Sequence, residues 1–129
     1  MTHKQKIKWA ILARDAKWAE KDRPEYPCAD VDELYDQLVE DDDHWDAVNE
    51  IRCTGVATGL PCPISRHYES EAVAMQMPDG SWVGWTYWYG GGKHGEPESV
   101  DWMNSAYEVA CAEEEKVVTV RTFTRASET

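Results

Sequence analysis

The chain of 129 residues has no long apolar run, and no apolar segment of the kind that directs secretion follows its first residues. A membrane-spanning helix needs about 20 consecutive apolar residues, and no stretch of this sequence approaches that length. Hydrophobic residues nevertheless make up 42% of the chain, which is enough for a folded core. The sequence therefore predicts a folded cytoplasmic protein that does not contact membranes.

Closely spaced cysteine pairs are also absent. Cys28, Cys53, Cys62 and Cys111 are widely and irregularly spaced, whereas a secreted disulfide-rich domain of this size would carry a denser framework. We expect reduced thiols that are mostly buried, because free cysteine packs as a small hydrophobic residue. The chain has no common zinc-binding spacing and no phosphate-binding glycine loop. The sequence thus predicts neither a metal site nor a cofactor.

Basic residues are few: 13 Lys and Arg stand against 25 Asp and Glu, a formal net charge of -12. Residues 28–52 hold ten acids and one base, Arg52, and residues 95–115 hold seven acids and no base. Such a field repels phosphate backbones and anionic lipids, which predicts no direct binding to nucleic acid or membranes. A basic protein surface is the partner that this charge favours. The alternative is that the acids only keep the chain soluble.

The length is that of one domain, with a helical half at residues 1–53 and a sheet-plus-helix half at residues 64–125. Apolar residues at helical spacing predict a first helix over 3–21, with Thr2 as its N-cap. The glycines and prolines of residues 54–63 predict a connecting loop between the halves.

A second helical stripe of apolar residues follows Asp30, which is a suitable N-cap. The acidic run in the middle of this stripe leaves two interpretations open. One is a bent helix over 31–52. The other is a pair of helices that divide near residue 42, with Asp43 capping the second.

The clearest hairpin signal is the turn sequence Pro78-Asp79-Gly80 between two strand-like segments, Glu69–Met77 and Ser81–Tyr89. We expect this hairpin to bury Trp85 and Tyr87. Further on, Pro97 favours a third helix over 98–111.

The valine-rich segment 116–124 is typical of a last strand, and residues 126–129 are expected to fray. The order of elements predicts an α+β fold. In that fold a small, at least partly antiparallel sheet with a Trp- and Tyr-rich hairpin packs against helices.

The acidic run is the first candidate binding surface. Acids at helical spacing follow the side opposite the apolar stripe, at positions 32, 33, 36, 40 and 43, so we expect them to be exposed. Carboxylates along a helix are spaced comparably to phosphates along DNA, so this surface could mimic DNA. The candidate residues are Asp36, Glu40, Asp41, Asp42 and Asp43.

The aromatic hairpin and the glycine loop after it are the second candidate. Strand alternation places Trp82 and Trp88 on the face opposite the core, where Gly84 between them would let a planar group approach the backbone. These tryptophans could be covered within the fold, form a protein or homodimer surface, or bind a small molecule. Lys93 and His94 lie in the glycine-rich loop, which can adjust to a partner.

A different class of function, a small hydrolase or transferase, would use polar residues at the entry and exit of the hairpin. His67 and His94 are the candidate general bases, and Glu69 could orient a histidine. The alternative is that Arg66 and His67 form salt bridges that hold this loop on the sheet.

Two segments, Met77–Glu98 and Val117–Phe123, resemble small acidic proteins encoded by tailed phages and prophages. The resemblance implies a mobile-element origin and, with it, location in the host cytoplasm. It also implies a host-directed binding protein, such as an inhibitor of a defence nuclease, but it assigns no functional residue. With the charge pattern, it favours a non-enzymatic acidic protein that binds a basic host protein, as an inhibitor or a DNA mimic.

Overall fold

The structure is a computed structural model that describes residues 1–126; residues 127–129, most of the segment expected to fray, lie outside it. The helices of the described chain are α1 (His3–Trp18), α2 (Val31–Glu40) and α3 (Trp45–Thr54). The strands are β1 (Val56–Ala57), β2 (Glu69–Gln76), β3 (Trp82–Tyr89) and β4 (Tyr107–Val109). They form one antiparallel sheet in the order β1-β2-β3-β4, which confirms the α+β class.

Thr2 begins α1 as predicted. Its hydroxyl accepts a hydrogen bond from the Gln5 N–H at 3.1 Å, and the Gln5 side chain accepts one from the Thr2 N–H at 2.8 Å. The helix ends at Trp18 rather than at residue 21, because Glu20 adopts a left-handed φ of 56°. The N–H groups of Ala19, Glu20 and Lys21 then donate to carbonyls of the last helical turn.

The second apolar stripe forms two helices, α2 and α3, rather than one bent helix. One of the two capping predictions is wrong. Asp30 is the N-cap of α2 as predicted, but its side chain makes no capping bond, and its carboxylate accepts from the Cys28 thiol at 3.2 Å. The prediction for Asp43 is wrong, because His44 is the N-cap of α3. The N–H of Asp43 instead donates to the Leu38 carbonyl at the end of α2.

The predicted hairpin is confirmed by β2 and β3. The Met77 N–H donates to the Ser81 carbonyl at 2.8 Å, and Gly80 supplies the left-handed φ of 88° that this turn requires. The Asp79 carboxylate accepts from both the backbone N–H and the hydroxyl of Ser81, at 2.9 and 2.6 Å. These bonds lower the pKa of Asp79.

One hydrophobic core joins the helices to a face of the sheet. Trp85 is fully buried in it, its indole N–H donates to the Arg52 carbonyl at 3.2 Å, and its ring lies 5.4 Å from that of Trp102. The helices contribute Ile7, Ile11, Val31, Ala47 and Ile51. Helices α2 and α3 both pack on α1, and α1 and α3 contact β3 of the hairpin. Tyr87, also expected to be buried, is only half-buried at the edge of this core.

The predicted helix over 98–111 is wrong. This region contains a 3₁₀ turn at Pro97–Ser99 and then β4, which pairs with β3. Trp102 turns into the core against Trp85, and pairing to β3 gives Tyr107 and Val109 a common face. Tertiary contacts have thus overridden the helical spacing.

The predicted strand over 116–124 is also wrong: residues 110–126 form no regular element. Val117, Val118, Val120 and Phe123 are exposed there. A strand is stable only against a partner, and the two edge strands, β1 and β4, are only two and three residues long, so they offer few backbone groups for pairing. The sheet half of the chain therefore lacks both its predicted helix and its predicted last strand.

Two further expectations from composition can be compared with the structure. The four cysteines are free, but only Cys28 is buried, so the expectation of mostly buried thiols is wrong. None of the helices in residues 1–126 has the length and apolar character needed to cross a membrane.

Candidate interaction surface

The predicted acidic residues form an exposed patch on α2 and the turn after it. We call this patch the acidic surface; it comprises Asp36, Glu40, Asp41, Asp42 and Asp43. Among residues 1–126, no lysine, arginine or histidine forms a salt bridge with any of these carboxylates. Their charge is therefore uncompensated by direct ion pairs.

The end of α2 determines how these acids are presented. Asp42 takes a left-handed φ of 57°, and the Asp43 N–H donates to the Leu38 carbonyl at 3.2 Å. This ending reverses the chain directly after Glu40. The run of aspartates therefore lies in a turn at the corner between α2 and α3 instead of continuing along a helix.

Unlike the residues of the acidic surface, Asp32, one turn earlier on α2, forms a salt bridge. Its carboxylate accepts from the Lys8 ammonium at 2.9 Å and from the Gln5 amide at 3.0 Å. Both bonds lower the pKa of Asp32, and the bond from Lys8 has the larger effect. Asp32 thus joins α2 to α1. The acids of the acidic surface make no such contact within residues 1–126 and can form ion pairs with a partner.

The sequence analysis did not identify the exposed apolar side chains beside the acidic surface. Trp45 is 65% exposed, its indole N–H donates to the Asp42 carboxylate at 2.7 Å, and its ring lies 4.4 Å from that of His44. Val39 is also exposed and lies one helical turn from Asp36. A tryptophan directly after an acidic run is the signal that could have indicated them.

The second candidate, the aromatic hairpin, is partly covered by the chain itself. Trp82 and Trp88 are half-buried on the outer face of the sheet. A Cβ on Gly84 would lie 2.7 Å from the Val109 side chain and 2.8 Å from the Tyr107 ring. The planar group that approaches Gly84 is therefore the chain's own Tyr107.

Lys93 and His94 are exposed in a 3₁₀ turn after the hairpin. The contact that fixes this loop comes from Tyr68, which the sequence analysis did not identify. The Tyr68 hydroxyl accepts from the Glu96 N–H at 3.2 Å, and a Cβ on Gly91 would lie 2.5 Å from the Tyr68 ring. The loops at the entry and exit of the hairpin therefore meet, but through a tyrosine.

The candidate catalytic residues His67, Glu69 and His94 are all exposed. Within residues 1–126, no side-chain hydrogen bond or salt bridge joins them, and Arg66 and His67 form no salt bridge to hold their loop. The alternative interpretation of that loop is therefore wrong. Its backbone is held by the Ser65 hydroxyl, which accepts from the His67 and Tyr68 N–H groups.

Comparisons with known proteins add no assignment to this geometry. No protein-family model, no curated protein and no solved structure matches the chain.

Proposed function

We propose that the protein binds a basic surface of another protein through the acidic surface, with Trp45 as the apolar anchor. The observation that carries the proposal is the position of a largely exposed tryptophan, bonded to Asp42, among carboxylates that have no cationic partner in the described chain. Exposed tryptophans contribute strongly to protein interfaces when a partner covers them.

The chemistry of this surface favours a cationic protein over other partners. Like-charge repulsion disfavours nucleic acid and anionic lipids, while basic surfaces are attracted and oriented during association. DNA-binding proteins belong to this class of partner, because they present cations spaced for phosphates. We further propose that the protein acts in the cytoplasm, of a host cell if its origin is a mobile element.

The test compares two variants with the same change in net charge. Asp41, Asp42 and Asp43 are replaced by Asn in one, and Glu113, Glu114 and Glu115 by Gln in the other. Each is immobilised beside the wild-type chain and exposed to a bacterial lysate, and the retained proteins are identified. A third variant, Trp45→Ala, keeps the charge and removes the anchor.

We expect the wild type and the glutamate variant to retain the same basic proteins, and the aspartate and Trp45 variants to lose them. Retention should fall between about 0.1 M and about 1 M salt, where the screening length drops from about 10 Å to about 3 Å. Duplex DNA added as competitor should release a partner that binds DNA at the same surface. Equal loss in both charge variants, or direct submicromolar binding of duplex DNA by the isolated chain, would contradict the proposal.

A further inference from the structure

A cavity of about 380 Å³ lies between α2, α3 and the turn at Pro97–Ser99. This volume is within the range of small-molecule sites, about 300–1,000 Å³. Its lining combines aromatic rings, a histidine, an arginine and one carboxylate. The residues that matter to its chemistry are Tyr35, His44, Trp45, Asn49, Arg52 and Glu98.

Arg52 is the unusual member of this lining, because it is only 7% exposed. Its Nε and Nη2 donate to the Asn49 side-chain oxygen at 3.2 and 3.0 Å, and its Nη1 donates to the Trp88 carbonyl at 2.7 Å. The Tyr87 ring lies 5.2 Å from the guanidinium carbon. All of these partners are neutral, and no carboxylate of residues 1–126 forms a salt bridge with Arg52.

A buried cation without a counter-charge is costly, and neutral hydrogen bonds offset only part of that cost. A guanidinium has five N–H donors, and the three bonds described above leave one free N–H on each terminal nitrogen of Arg52. Carboxylates accept strong, charge-assisted hydrogen bonds from guanidinium N–H groups. The missing counter-charge therefore has the chemistry of a carboxylate.

The rest of the lining favours a ligand that also carries a positive group. A net charge of -12 disfavours a purely anionic ligand, whereas Glu98 offers a carboxylate to a cation in the same cavity. The faces of Tyr35 and Trp45 can pack on an apolar side chain or attract a cation. In addition, the buried Nδ1 of His44 has no hydrogen-bond partner among the described residues.

We propose that this cavity binds a small zwitterion of the amino-acid type, with its carboxylate on Arg52 and its ammonium group toward Glu98. The cavity shares Trp45 with the proposed protein interface, but the two charged contacts of the ligand are made by Arg52 and Glu98, which that interface does not use. The probes are titrated into the isolated full-length chain, so ligand binding and partner capture can succeed or fail separately.

The first test varies the ligand and leaves the protein unchanged. L-phenylalanine, L-tryptophan and L-leucine are titrated into isotope-labelled protein, and binding is followed through backbone resonances and the Arg52 Nε–H. The best of the three is then compared with its amide, which lacks the carboxylate, and its N-acetyl derivative, which lacks the ammonium group. We expect each derivative to bind at least about tenfold more weakly, as the loss of a charge-assisted bond implies.

The second test varies the protein. Glu98→Gln should weaken the zwitterion about tenfold and strengthen the N-acetyl derivative, because a charge-assisted bond and a repulsion are both removed. Glu96→Gln makes the same charge change on an exposed residue outside the lining and should alter neither affinity. Arg52→Lys keeps the positive charge but loses the geometry of the guanidinium donors, so it should reduce the preference for the free carboxylate. If that variant does not fold, the ligand derivatives and the Glu98→Gln variant still test the proposal.

Two results would overturn the proposal. The first is that none of the three amino acids shifts the resonances of the cavity. The second is that the amide and the N-acetyl derivative bind as tightly as the free amino acid.

Discussion

Two segments of this chain are similar in composition, but only one of them forms a strand. Both β3 and residues 116–124 are rich in aromatic or β-branched residues, and the sequence predicts a strand in each. Strand β3 pairs with β2 and β4 and its Trp85 is fully buried in the core, whereas Val117 in the C-terminal segment is fully exposed and pairs with nothing in residues 1–126. Strand propensity therefore produces a strand only where neighbouring strands and a core stabilise it.

The largest expected effect tests the buried side of this comparison. Trp85→Ala should lower the free energy of unfolding by about 3–5 kcal/mol, because it removes a large ring from the centre of the core. Val118→Ala, in the exposed segment, is the matched control and should leave stability unchanged. Urea denaturation followed by circular dichroism measures both. A Trp85 variant as stable as the control would contradict the described core.

The next effect tests how closely β4 packs on β3. Gly84→Ala places a Cβ 2.7 Å from the Val109 side chain, so we expect a loss of about 1–3 kcal/mol from overpacking. The double variant with Val109→Ala should recover part of this loss, and Val109→Ala alone supplies the reference. Additive losses in the denaturation curves would show that the two side chains do not meet.

A smaller effect concerns the contact of α2 with α1. Because the bond from Lys8 lowers the pKa of Asp32, the carboxylate stabilises the fold above its unfolded pKa, and this contribution is lost as pH falls through the lowered folded value. Asp32→Asn should therefore destabilise the protein at neutral pH, and this effect should disappear once the pH lies below the lowered folded pKa of Asp32. Asp36→Asn, which breaks no salt bridge, is the control. The pH dependence of the unfolding midpoint separates them.

The smallest effect tests the exposed side of the comparison. A chain that ends at Glu115 should unfold with the same free energy as the full chain, within about 0.5 kcal/mol, because the side chains of residues 116–126 are exposed. A clear loss of stability on truncation would mean that the segment packs on the sheet after all.

Local signals in the sequence predicted the elements that depend on local structure. Thr2 and the turn Pro78-Asp79-Gly80 carry capping and turn chemistry within a few residues, and α1 and the hairpin follow from them. The helix predicted over 98–111 fails because the burial of Trp102 against Trp85 depends on residues distant in sequence. Periodicity within a segment contains no information about such contacts.

The acidic surface and the cavity likewise combine features that local sequence predicts with features that depend on the fold. The exposure of Asp36 and Glu40 follows from helical spacing, but the place of Trp45 depends on the left-handed backbone at Asp42. Aspartate adopts this conformation more readily than most residues, yet nothing in the run of three aspartates indicates which of them does so. The sequence shows Arg52 as the single base of an acidic segment. Its burial, however, depends on a hydrogen bond to the Trp88 carbonyl of β3, which is distant in sequence. The sequence thus indicated the charge of both sites, and the fold supplied their shape.

The exposure of Trp45 also has an optical consequence. Its indole ring lies beside aspartates, while the other half-exposed tryptophan of the helices, Trp18, follows Lys17. Collisional quenchers of opposite charge should therefore separate the two: caesium should quench Trp45 preferentially and iodide Trp18. Trp85 and Trp102 are buried and should respond to neither ion. The fluorescence of the unlabelled chain can thus report separately on its acidic and basic regions.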